Sequence, residues 1–157
     1  MNDFALLYER YAPDVFRFAI YLCGNRADAE DIVSETFVRV WTSAETVRTE
    51  TVKGLLFTIA RNLFLKQLKH RARHAELPKA IADPAPQADK LLERRDQADA
   101  VFRAMQGLPQ MDRAVLVMRT IDGLAYSEIA RVLGISEVSA KVKVHRARAA
   151  LMNLRRN

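Results

Sequence analysis

Hydrophobic residues recur at helical spacing along almost the whole chain, and no stretch alternates apolar and polar positions with the β-branched enrichment that a half-buried strand needs. This confines the fold to an all-α class. Residues 4–22 read as a first helical region, interrupted near Pro13 and closed by the Gly24-Asn25 turn signal. A second helix is expected from about Asp28 to Trp41, its Glu30 and Asp31 suiting the positive end of the helix dipole. After a polar, Thr-rich loop, a third runs from about Val52 to His70, with Leu55, Leu56, Ile59, Leu63 and Leu68 at core-like positions.

The pattern then breaks. Residues 71–90 hold Pro78, Pro84 and Pro86 among alanines and polar residues, which disfavours a continuous helix and reads as a linker. Helical spacing resumes from Leu91, and breaks at residues 107–109, at Asp122-Gly123 and at Gly134 divide this second half into about four short helices. The expected organisation is two small helical domains, 1–75 and 91–157, joined by a flexible linker over 76–90. If about 15 linker residues are extended at about 3.3 Å each, the halves can separate by roughly 50 Å and engage two sites on one long ligand.

Composition narrows the partner. A chain of 157 residues with 50% hydrophobic and 28% charged residues is globular rather than disordered, and a net charge of +6 with a pI near 9.8 favours a polyanion. The single cysteine, Cys23, allows neither an intrachain disulfide nor a thiolate metal cluster, and no metal site or cofactor is expected. Without a basic leader followed by an apolar core, and without an apolar run of bilayer length, the chain reads as cytoplasmic with no membrane insertion. No phosphate-binding glycine loop, Cys/His cluster or nucleophile elbow is present, so enzymatic activity is not expected.

The clearest local signal is LAYSEIARVLGIS, residues 124–136. A short helix carrying Ile129, Ala130 and Leu133 meets Gly134, suited to a left-handed helix end; Ile135 plugs the angle and Ser136 caps the next helix. In that helix Ala140, Val144, Ala147 and Leu151 share the buried side, and no acid follows Glu137. A helix with small residues against its partner and cations outward suits the DNA major groove, with Lys141, His145 and Arg146 in reach of base edges. Ser139, Lys143 and Arg148 suit phosphates, and Val142 lies on the same face. The bland alternative is an antiparallel helical pair with a solvated basic side.

In the first half, Asp31, Glu35 and Arg39 align opposite a buried stripe of Ala29, Val33, Phe37 and Val40, with Ser34 nearby; periodicity alone favours an ordinary solvated face. No acid occurs between Thr51 and Ala75, where Lys53, Arg61, Lys66, Lys69, Arg71 and Arg73 suit contact with a DNA backbone. A membrane-surface helix is the runner-up there, but its apolar side is needed to close a small core.

Three motifs, DAEDIVSETFVRVW (28–41), LLFTIARN (55–62) and the segment from Leu108 through Arg148, lie in the order and spacing of extracytoplasmic-function sigma factors of bacterial RNA polymerase, and the chain resembles that family over nearly its whole length. The resemblance implies that the first half is a region-two domain, with Asp31, Ser34 and Glu35 gripping the polymerase clamp helices. It further implies that the loop from Thr46 to Val52, together with Arg61, Asn62 and Lys66, captures and melts the minus-ten element, and that the last helix reads the minus-35 element. It also implies a protein that is monomeric apart from its partners: RNA polymerase core, promoter DNA and an anti-sigma factor. The sequence departs from the family at Ala125, where a Ser or Thr N-cap is usual, at Leu55, where tryptophan is common, and at Ser139-Ala140, in place of Thr-Val. The competing function is a helix-turn-helix regulator that ignores polymerase, which would dimerise on a palindromic site.

Overall fold

The computed structural model describes residues 3–42, 51–74 and 92–156, and they form seven α-helices. α1 (Asp3–Cys23), α2 (Arg26–Thr42) and α3 (Val52–Arg73) make one unit. α4 (Leu92–Gln106), α5 (Gln110–Leu116), α6 (Tyr126–Leu133) and α7 (Glu137–Arg156) make the other, with α5 running on into a π-helical turn, Val117–Ile121. Both expected helical units are therefore present. The linker expected over 76–90 lies outside the described residues. No helix among the described residues is long and apolar enough to cross a membrane.

Three expectations about the elements are corrected. α1 is not interrupted at Pro13 but runs through it. The ring removes one N–H from the ladder at an exposed position, where water can serve the freed carbonyl. α2 begins at Arg26 rather than Asp28, because the Asn25 side chain caps it: Asp28 N donates to Asn25 Oδ1 at 3.0 Å. α3 continues to Arg73, so Arg71 and Arg73 are helical, and its buried stripe is Leu56, Phe57, Ala60, Leu63 and Phe64, while Leu68 is exposed.

α1 is the shared centre. It packs on α2 and α3, and also on α4 and α5, so that Val15, Phe18 and Leu22 belong to one apolar core spanning both units. Phe18 and Phe57 stack at 4.5 Å between ring centroids. Gly24, at φ 70°, ends α1 in the left-handed conformation and returns its N–H to Ile20 O at 2.8 Å. The last carbonyls of a helix have no partner inside it, and here the second unit supplies donors. Gln106 Nε2 donates to Tyr21 O at 2.8 Å, and Arg113 donates to Leu22 O at 2.7 Å and Leu108 O at 2.8 Å. Cations of the first unit answer in turn. The side chain of Asp122, fully buried just after the π-helical turn, receives Arg17 at 2.8 Å, with Lys53 at 3.8 Å and Asp14 joining the cluster through both cations.

Removing the guanidinium in Arg113→Met leaves buried carbonyls of Leu22 and Leu108 without donors, which should lower stability by roughly 2–3 kcal/mol in urea unfolding. A substitution costing under about 0.5 kcal/mol would show that these bonds do not hold the halves together.

Burial pushes the Asp122 carboxyl above its ordinary value, against the opposing pull of Arg17 and Lys53 and with the charge of Asp14 adding to it, and Asp122 Oδ2 receives no hydrogen bond. The folded state therefore takes up this proton before the unfolded chain does. Its contribution to stability is complete below the ordinary carboxylate value of about 3.9 and is lost as pH rises through the elevated native value. Across that window the wild type should lose stability relative to Asp122→Asn as pH rises, read from paired denaturation curves. A difference that is flat or of opposite slope contradicts this.

Candidate nucleic-acid interface

The geometry of α6 and α7 follows from local chemistry. Gly134 adopts φ 69°, and Ile135 N returns to Ala130 O at 3.1 Å, closing α6. Ser136 Oγ then accepts from Ser139 N at 3.0 Å and starts α7. Ile129 and Leu133 are buried against Ala140, Val144 and Ala147, with Ile135 half-buried in the angle, as the spacing required.

Ala125 gives α6 no side-chain cap, in keeping with the departure seen in the sequence. Glu128 does not compensate by capping its own helix. Its buried carboxylate lies 3.5 Å from Arg131 and against Gly54 in the first turn of α3, where an added Cβ would stand 1.7 Å from Glu128 Oε2. The α6–α3 contact thus depends on the glycine at 54.

On the outer side of α7, Lys141, Val142, His145, Arg146 and Arg148 are exposed, and Ser139 and Lys143 are half-buried. Two of these side chains are held by neighbours. Arg146 makes a two-bond pair with Asp112, at 2.9 and 2.7 Å, where Asp112 is buried in the first turn of α5. Lys141 lies 5.7 Å from the centroid of the Tyr126 ring, which also carries the Arg119 guanidinium at 4.2 Å. Asp112, Tyr126 and Asp122 were not legible in the sequence, since an acid or a ring at a helix start or in a turn signals only local structure until its distant partner is known.

In the first unit, Asp31, Ser34 and Glu35 are exposed on α2, and together with Lys66 they line an open groove between α2 and α3, which the Arg71–Asp28 ion pair bridges. Glu35 also pairs with Arg39 at 3.3 Å. Beside Ser34, an apolar patch of Phe4, Tyr8, Val38 and Trp41 is open to solvent, Trp41 being 66% exposed. Asn62 and Lys66 are exposed on α3. Arg61 is not: it is only 9% exposed, its guanidinium lies 3.6 Å from Met111 Sδ of α5, and burial lowers its pKa from the ordinary value. Residues 46–50 of the expected minus-ten loop lie outside the described residues.

Two family descriptions match the chain in the order of these units: sigma-70 region 2 over residues 7–74 and sigma-70 region 4 over residues 98–151. Among curated relatives, the ECF RNA polymerase sigma factor SigE of Mycolicibacterium smegmatis is 36% identical, over 92% of this chain and 58% of its own length. BldN of Streptomyces coelicolor is 32% identical, over 98% of this chain and 60% of its own. The chain thus spans about 60% of the length of these two relatives. EcfG of Rhodopseudomonas palustris is 30% identical, over 90% of this chain and 79% of its own. The sigma factor RpoE of Bartonella quintana, solved with the anti-sigma factor NepR, superposes with a TM-score of 0.82 at 26% identity, covering 99% of this chain and 98% of that one. The chain belongs to the extracytoplasmic-function sigma factors, a family of transcription initiation factors.

If the flanking cations of α7 hold phosphates, Lys143→Ala and Arg148→Ala should each weaken binding to all duplexes alike. Each should also reduce the magnitude of the log-affinity against log-salt slope by about 1. A slope unchanged in both variants would remove these residues from the interface.

Proposed function

We propose that this protein directs promoter-specific transcription initiation as a sigma subunit of RNA polymerase, in the cytoplasm and without catalytic residues of its own. The observation that carries the reading is the coexistence of an exposed acidic face on α2 with an outward side of α7 whose charges beyond Glu137 are all positive. In this reading Asp31, Ser34 and Glu35 dock on the polymerase core, and the adjoining patch of Tyr8, Val38 and Trp41 adds apolar area to that contact. Asn62 and Lys66 meet the minus-ten region, and Ser139, Lys141, Val142, Lys143, His145, Arg146 and Arg148 form the face presented to the minus-35 region.

Arg61 adds a condition. Because α5 covers it, a role for Arg61 at the melted strand requires α4–α7 to move away from α3. Since one apolar core runs through both units, such a motion is not free, and binding energy from the partners would have to drive it. The RpoE relative was solved with an anti-sigma factor, and its close superposition supports the view that the packed arrangement is the form an anti-sigma partner would hold. A regulator that works without polymerase is the second reading, and its palindromic site would demand dimerisation.

Purified chain mixed with core polymerase should initiate selectively on a subset of promoter fragments. Glu35→Lys or Asp31→Lys should reduce core binding at least about tenfold, since like charge placed at an interface costs several kcal/mol. Lys143→Ala should leave core binding intact. Retention of full core binding in both charge reversals, together with a dimer by light scattering, would favour the second reading.

A further inference from the structure

The outward centre of α7 is apolar rather than basic. Val138, Val142 and Ala149 fall at i, i+4 and i+11, on the side opposite the buried Ala140, Val144 and Ala147, and the two valines are 70% and 55% exposed. Cations stand on both flanks. Lys141 and Arg148, with His145, lie on one side of the stripe; Lys143 and Arg146, with Ser139, lie on the other. Asp112 holds the Arg146 guanidinium by two bonds toward α5, away from the stripe.

A narrow apolar line between two cationic margins is the complement of a major groove, whose walls are phosphates and whose floor carries the 5-methyl groups of thymine. An isopropyl group offers neither donor nor acceptor, so among base edges it can distinguish a base only by contact with that methyl. A partner helix would also cover apolar side chains. It would, however, need acid along both of its margins to match the cations here, whereas duplex DNA supplies that charge on both walls by its construction.

We infer that Val138 and Val142 read thymine methyl groups and so set part of this chain's choice of promoter; the inference rests on the sigma-factor reading above. Selection of duplexes from a random pool by the full chain with core polymerase gives the working site. Each thymine in the minus-35 half is then replaced by deoxyuridine, which deletes one methyl and keeps every hydrogen-bonding group. At one or two positions the substitution should weaken binding about fourfold, the worth of one buried methyl-sized group. Val142→Ser should abolish that penalty at one position and Val138→Ser at another or at none, with thermal unfolding unchanged because both side chains are exposed.

Equal affinity for thymine and deoxyuridine duplexes at every position, or a penalty that survives both variants, overturns the inference. So does a Val142→Ser variant that binds every duplex normally but loses a leucine- and glutamate-patterned helical peptide bound by the wild type, since the stripe then serves a protein partner. Failure to initiate selectively on any duplex would instead sink the sigma-factor reading, whereas selective initiation without methyl sensitivity sinks this inference alone.

Discussion

The C-terminal end of α1 is the constraint on which the rest of the structure depends. A helix end turned inward leaves carbonyls that must find donors, and Tyr21 and Leu22 find theirs in Gln106 and Arg113 of the other unit. The same junction brings the Asp122 carboxylate to Arg17 and Lys53. Removing one partner from such a buried polar junction costs more than the junction contributes in net stability. The bonds therefore act chiefly to fix one registration of the halves, and the apolar core across α1, α3 and α5 supplies the attraction.

That registration bears on the proposed function because it covers surfaces to which that reading gives other work. α5 covers Arg61, and α6 rests through Glu128 on Gly54, at the start of the helix that carries Asn62 and Lys66. By contrast, Asp31, Ser34 and Glu35 on α2, and the outward side of α7, remain open in the same arrangement. On the proposed reading, polymerase docking and first contact with duplex DNA are thus compatible with the packed form. On the same reading melting through Arg61 is not, and the energy to part the halves would come from the contacts proposed with polymerase and promoter.

Much of this was legible in the residues. The helix-turn-helix was readable because Gly134, Ile135 and Ser136 each have one local job, and the buried stripe of α7 followed from period alone. The run of α1 through Pro13 was not readable: proline's local preference opposes it, and only the burial of Val15, Phe18 and Leu22 on both units outweighs the lost bond. Nor could Arg61 be placed. Its motif identifies a basic position on α3, but whether that position faces water or Met111 is decided by residues fifty positions away. Arg146 shows the same limit, since its exposure is readable from the helical period while its pairing with Asp112 is a tertiary fact.

The most direct measurement is the separation of the halves during function. Spin labels placed at Glu30 on α2 and Met152 on α7, both exposed, with Cys23 replaced by serine, report the distance between the units. The account predicts a single short distance in the free chain and a clearly longer one once core polymerase and a selected promoter are added. A distance that stays short in an initiating complex would mean that Arg61 never leaves α5, and would contradict its place at the melted strand.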